Sequence, residues 1–418
     1  MNAVERKKIT VSVIGGGPSG SSAAIRLLKR CAEEGLDHRV LLFEGKDFDI
    51  HYNQCAGVLA PPIESIMRQE LDVELPLALY KRQIRGYRLY AGGKDVLLVG
   101  ERRGGPHFAV RRVKFDRYML EKVREFGAEV IQSRVEGIEF YAGRQGGKSV
   151  IYSEEGTFLS DYVIGAFGLD DGMLDIFEES TGTYRKPEKF MTSYVTKFHT
   201  DRKFIEKKLG DIIYAFLYPP VSPRVEFGAI TPKGDHVVVN IAGVGITVDD
   251  FLKFLERREV REYLPPVEPD LFEIYRGKFP ASPARGVTGP CYVVTGDATG
   301  FLRPFKGKGI TTAVLTGIYA GDAVIDHHLR GVSLDSYEAR CREFMGDYIY
   351  GTGVKALASI ASKIGALSSI LEASKTDRGL YEALFNSVSG DSSFKNILKT
   401  NFTMKTVLNV MKLRLREV

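Results

Sequence analysis

Ile9 to Ile14 is an apolar run rich in β-branched residues, and it passes without interruption into Gly15-Gly16-Gly17-Pro18-Ser19-Gly20. Beyond it, Ser22 to Arg30 places Ala23, Ala24, Leu27 and Leu28 at helical spacing. The order is strand, tight turn, helix, which few folds begin with. In G-x-G-x-x-G the first glycine allows the turn, the second lets backbone approach a pyrophosphate, and the third lets helix and strand pack closely. The helix start adds N–H groups and a positive dipole end for phosphate. The next strand, Val40 to Phe43, ends at Glu44, about 24 residues beyond Gly20, where an acid is expected to hold a ribose hydroxyl pair. Gly15, Gly17, Pro18, Ser19, Gly20 and Glu44 are therefore read as a dinucleotide cradle, against the alternative of a glycine turn that serves packing alone.

At 418 residues the chain has room for two or three domains and a large core. No run reaches the ~18 to 20 consecutive apolar residues that a membrane-spanning helix needs. Met1 to Thr10 is short and charged, unlike a secretory leader, so a cytoplasmic location is expected. Cys31, Cys55, Cys291 and Cys341 form no C-x-x-C pair, which excludes a disulfide framework and a zinc or iron-sulfur cradle and leaves reduced thiols; no metal site is expected.

The net charge of +5 is unevenly placed: residues 351–418 hold ten Lys/Arg against five Asp/Glu. A basic tail suggests an anionic surface as partner, or else a solvated helical face. Near the end, Met404, Val407, Leu408, Met411 and Leu415 fall on one side of a helix, with Lys405, Asn409, Lys412 and Arg416 on the other. Such a helix can lie in a membrane interface or dock on the protein body. A peripheral membrane contact is the partner expected here, and nucleic acid is not.

Tyr292-Val293-Val294-Thr295 reads as a buried strand ending at Gly296-Asp297-Ala298-Thr299-Gly300, followed by Pro304 and Lys306-Gly307-Lys308-Gly309-Ile310, then a small-residue helix at about 311–327. This segment resembles the second FAD fingerprint of the flavoprotein group that contains aromatic hydroxylases and geranylgeranyl reductases. The resemblance implies that Gly296 and Asp297 meet the ribitol chain, and that Gly307, Gly309 and Ile310 face the ring and pyrophosphate. Arg111-Arg112-Val113-Lys114-Phe115-Asp116 resembles the group's R-x-x-F-D helix start, which implies Arg112 on the FAD and Phe115 in the core; alone it would be a basic helix entry with an Asp near its cap. With three pieces in order, the cofactor is expected to be FAD.

Within that group, the hydroxylase D-G motif is missing, since Phe167 stands in Val163-Ile164-Gly165-Ala166-Phe167-Gly168 where the Asp would be. The chain has no Trp for a halogenase motif and no four-Cys cluster for a quinone oxidoreductase. Asn53-Gln54-Cys55-Ala56-Gly57 resembles the C-x-G segment of the geranylgeranyl reductase family, whose Cys lies near flavin and substrate. Phe227-Gly228-Ala229-Ile230-Thr231-Pro232-Lys233 resembles the family's Y-x-W-x-F-P-K segment, with Pro232 and Lys233 matching and Phe227, Ala229 and Thr231 in place of its aromatics. Leu384 to Gly390 also resembles the family's tail. Cys55 is thereby the candidate catalytic residue, with a small packing residue as the alternative; neighbouring His51 could be a base or a structural residue.

The fold implied is α/β: a Rossmann-like FAD-binding domain (1–75, 106–172 and 282–345), an antiparallel-sheet substrate domain (76–105 and 173–281), and a helical C-terminal region (346–418). Aromatics in the second domain, Tyr194, Phe198, Tyr214, Phe216 and Tyr218, would either line an apolar tunnel or form plain core. Leu357, Ile360, Ile364, Leu367 and Leu371 read as one apolar helical stripe. The family resemblance implies saturation of isolated double bonds in a prenyl lipid by hydride transfer from reduced flavin, with electrons from a transient NADPH or a ferredoxin-like carrier because no second G-x-G-x-x-G is present. The alternatives are an FAD monooxygenase acting on an apolar substrate and a flavin electron-transfer protein.

Overall fold

In a computed structural model, which describes residues 8–51, 55–100, 105–141, 148–266, 272–301, 309–344, 348–390 and 392–401, the strand Ile9–Ile14 is central to a six-stranded sheet. Its order is Thr288–Gly289, Tyr292–Val294, Tyr162–Gly165, Ile9–Ile14, His38–Phe43, Glu129–Ile131. All neighbours are parallel except the short pair of 288–289 with 292–294. Val11 stands between Val40 and Tyr162 in register, and every residue of the central strand except Thr10 is buried. Such continuous burial is expected of a parallel strand covered on both faces.

The helix Pro18–Glu34 follows the glycine turn and packs along Gly309–Arg330. The two approach closely because Gly317 has no side chain: a Cβ there would lie 2.2 Å from the Ser19 carbonyl oxygen. Thus both glycine-rich segments, nearly 300 residues apart in sequence, sit at one end of the same sheet. The long helix extends two residues before and three beyond the 311–327 read from the sequence.

A second sheet has seven strands in the order Tyr275–Pro280, Phe190–His199, His236–Gly243, Val225–Pro232, Ile212–Leu217, Gly86–Ala91, Lys94–Val99. It is antiparallel apart from one parallel pairing, 212–217 with 86–91. Successive side chains point to opposite faces. Phe198, Tyr214 and Phe216 lie on one face of this sheet, in a core with Phe251 and Phe254, and Tyr194 packs against that core. Phe216 stacks on Tyr90 at 4.7 Å. The tunnel reading of these four aromatics therefore gives way to the core reading. Tyr218 lies past the strand end with φ 45° and packs towards the C-terminal helices.

The single C-terminal stripe is also corrected. Gly365, at φ 71°, ends one helix and begins the next, and Ile349–Lys363 meets Ala366–Ser374 at 108°. Leu367 and Leu371 turn into the core against the second sheet, whereas Leu357, Ile360 and Ile364 stay exposed. Among the described residues no single helix is long and apolar enough to cross a membrane. The amphipathic segment 404–416 lies outside the described residues.

Candidate active site

The three motif glycines do different jobs. A Cβ on Gly15, whose φ is 106°, would come within 2.5 Å of the Ala166 carbonyl oxygen, and one on Gly20 within 1.8 Å of the Gly15 oxygen. Both are demanded by the chain itself. A Cβ on Gly17 would meet nothing within 4 Å, so the chain's own packing gives no reason for that glycine. Its open side fits the approach of a pyrophosphate to the helix start, where Gly17 is the N-cap without a side-chain cap and Pro18 is the first helical residue. Glu44 is buried below the turn, its Oε2 accepting the Gly16 N–H at 2.8 Å and its Oε1 the Lys46 N–H at 2.7 Å. Burial pushes its carboxyl above the usual range, and the two amides oppose this.

The second glycine-rich segment touches the first. Ser19 Oγ donates to Thr295 Oγ1 at 3.1 Å, and a Cβ on Gly296, at φ 70°, would lie 2.9 Å from Ser19 Cβ. Asp297 follows in a 3-10 turn, Gly296–Thr299. Burial raises its carboxyl, with Arg112 opposing. Arg112 opens the helix Arg112–Glu125, and its Nε donates to the fully buried Asp116 at 2.6 Å. Burial works against the guanidinium, but Asp116, Cys55 and Asp297 outweigh it and the net shift is upward. Phe115 is wholly buried. Gly309 and the buried Ile310 start the long helix beside this turn; Gly307 lies outside the described residues.

Cys55 is half-buried and the other three thiols are buried. Its Sγ accepts the Gly57 N–H at 3.3 Å. Cys55 and Asp297 both lie within electrostatic reach of Arg112. The sequence reading did not place Lys233 in the site. This lysine, 1% exposed, follows the strand Val225–Pro232 and reaches across to donate to Ala56 O, to Gly57 O at 2.8 Å and to Val110 O at 2.7 Å. Burial, reinforced by Lys197 and Arg111 and opposed by Cys55, pushes it down to about 7. The match of Pro232-Lys233 to the end of the family segment was the available signal. Asp116, which holds Arg112, was quoted only as part of a motif. His51 is exposed, with Nδ1 3.0 Å from Asp47 O, the structural alternative.

The sheet face opposite that aromatic core carries small and aliphatic residues with one amide. Val195, Asn240, Ala229, Ala215 and Leu89 stand side by side across five strands. Ala215, Ala229 and Phe227 retain partial exposure although their strands are central, so this face is incompletely covered. Asn240 Oδ1 is buried there without a partner among the described residues, a polar point on an apolar surface. Gly243 and Gly245 lie where the strand His236–Gly243 leads towards the helix Val248–Glu256, and Thr247 and Asp250 close that helix start as a capping box. Two carboxylates in its first turn, Asp249 and Asp250, disfavour a phosphate. No group of three or more potential metal ligands occurs among the described residues.

No family model matches the chain. Among curated proteins, a chloroplastic geranylgeranyl diphosphate reductase of Oryza sativa is 24% identical, covering 82% of this chain and 72% of its own. A digeranylgeranylglycerophospholipid reductase of Methanothrix thermoacetophila is 26% identical, covering 81% and 84%. Of solved structures, a geranylgeranyl bacteriochlorophyll reductase-like protein of Thermoplasma acidophilum superposes with TM-score 0.73 at 18% identity, over 97% of this chain and 99% of that one. An aklavinone-11 hydroxylase solved with FAD and aklavinone gives 0.62 at 18%, over 85% and 70%.

Proposed function

We propose that this chain, an FAD-dependent oxidoreductase related to the geranylgeranyl reductases, saturates isolated double bonds of a prenyl lipid. What supports the reading is that Cys55 and Asp297 lie within electrostatic reach of Arg112, that the turn carrying Asp297 touches Ser19, and that a sheet face with Ala215, Ala229 and Phe227 retains partial exposure. Gly15, Gly17, Pro18, Ser19, Gly20 and Glu44 would hold the adenosine and pyrophosphate end of FAD, and Gly296, Asp297, Gly307, Gly309, Ile310 and Arg112 the ribitol and ring end. Reduced FAD, when bound, supplies the hydride for one alkene carbon.

The other carbon takes a proton, for which the Cys55 thiol is the candidate donor. The Gly57 N–H on Sγ leaves the S–H proton available and stabilises the sulfur once the proton has left. Partial exposure gives the thiol access to solvent for reprotonation. Arg112 places fixed positive charge near that sulfur, and Asp116 fixes Arg112. The apolar sheet face orients the chain and excludes water. Small side chains at Ala229 and Thr231, where the family segment carries aromatics, widen this face. Headgroup and chain length follow from none of these contacts. Electrons come from a transient NADPH or ferredoxin-like donor, consistent with the carboxylate-closed helix start at Thr247.

The test is anaerobic incubation of the dithionite-reduced protein with a geranylgeranyl lipid, followed by mass spectrometry. A gain of roughly 2 mass units per bond saturated is expected. An oxygenated product formed only in air would replace this reading with the monooxygenase; reduced flavin without any altered lipid would replace it with the electron-transfer protein.

A further inference from the structure

Lys233 makes a tripod. Its Nζ donates to the main-chain oxygens of Ala56, Gly57 and Val110, contributed by two separate stretches of chain, while its own backbone directly follows the strand Val225–Pro232 of the second sheet. An ammonium has three N–H donors and no lone pair, so three carbonyls match it fully. Gly57 O also accepts the Val110 N–H at 2.7 Å, so the lysine completes a junction that backbone pairing begins. Gly57 is shaped for this junction: at φ 57°, a Cβ would lie 2.5 Å from Val110 O and 3.1 Å from the Lys233 nitrogen. The Gly57 N–H in turn holds Cys55 Sγ. Whatever fixes Gly57 therefore fixes the sulfur.

Nothing in the hydride chemistry requires a cation here. Lys233 is buried, its hydrogen-bond partners are carbonyls rather than a carboxylate, and the other cations facing it are Lys197 and Arg111. Burying a charge is unfavourable unless hydrogen bonds compensate, and the three carbonyls supply that compensation. A side chain kept under those conditions spans the two domains at the one loop that carries Cys55.

We propose that Lys233 is a positioning residue: its ammonium pins the Cys55–Gly57 loop to the strand His107–Val110 and so sets where the Cys55 thiol stands above the substrate face. The inference deepens the reductase reading and rests on it for the role of the thiol, though the pinning itself can be measured without any lipid.

The experiment is iodoacetamide labelling of the flavin-loaded full chain, followed peptide by peptide, in wild type, Lys233→Met and Lys233→Gln. Cys31, Cys291 and Cys341 are buried and report global unfolding. Lys233→Met is expected to label Cys55 about ten-fold faster or more, with the other three protected and flavin retained, and Lys233→Gln, with two donors, to fall between it and wild type. An unchanged Cys55 rate in folded Lys233→Met overturns the proposal. Should Lys233→Met expose all four thiols, hydrogen exchange at the Val110 amide, which donates to Gly57 O, decides in Lys233→Gln. Its protection, corrected for the intrinsic rate, is expected to be lower in Lys233→Gln than in wild type at the same pH, and equal protection overturns the proposal. Saturation of a lipid plays no part in either readout, so failure of the pin and failure of the reductase reading are distinguishable.

Discussion

The glycine turn at residues 15–20 and the loop at 55–57 both bring backbone up to the site, yet they are held by different means. The turn is held by closeness: Gly15 and Gly20 leave no space for a Cβ, and Glu44 ties Gly16 from below. The loop is held by one long side chain, Lys233, that follows a strand of the second sheet. A turn locked by its own sterics suits a tightly kept cofactor, whereas a loop pinned by a titratable group can be adjusted without disturbing the cofactor.

The largest effect is expected where sterics rule. Gly20→Val would drive a side chain into Gly15 O and is expected to cost at least about 3 kcal/mol, read as a lowered urea midpoint or loss of folded protein. Normal stability of this variant would mean that the turn is not held by closeness. Gly17→Val separates ligand from fold, because its Cβ meets no part of the chain. It is expected to remain folded and to lose flavin, as is Asp297→Ala; full flavin occupancy in both would contradict the cradle.

At the loop, Cys55→Ser is expected to keep the flavin spectrum and its chemical reduction while slowing lipid saturation. A general acid contributes ~10² to 10⁴-fold, so a smaller loss would assign Cys55 to shaping the slot. Wild-type rate and products in both Cys55→Ser and Cys55→Ala would make it a packing residue.

The smallest effect is a pH slope. Folded Lys233 releases its proton near 7, whereas the unfolded side chain keeps it to the ordinary lysine value, so between these the unfolded state binds more protons. Stability attributable to Lys233 therefore rises with pH across that window, and the penalty for burying the cation is fully present below about 7. The difference in urea midpoint between wild type and Lys233→Met is expected to change in this direction. A flat difference would show that Lys233 stays charged throughout.

Much of the nucleotide end was legible because its determinants are local. Strand, glycine turn and helix are contiguous at 9–34, and Glu44 follows in the next strand. The substrate end depends on pairings that sequence does not display. Lys233 meets Ala56, Gly57 and Val110 from 123 to 177 positions away. Tyr214 and Phe216 alternate like residues of either sheet face, and only the covering helix at 248–256 decides that theirs is the core face. The stripe from Leu357 to Leu371 has unbroken helical spacing, but the left-handed Gly365 sends its two halves to different environments. Periodicity reports a face, not what lies against it.

The central claim, that the cofactor cradle and the Cys55 loop serve one reductive reaction, is tested most directly by an anaerobic single turnover. Photoreduced holoprotein is mixed with a geranylgeranyl lipid while the flavin absorbance is followed. The account predicts that the oxidised-flavin spectrum returns without oxygen, one lipid double bond being lost per flavin, and that Cys55→Ser slows this return. Flavin that stays reduced until air is admitted, with the lipid unchanged, would contradict it.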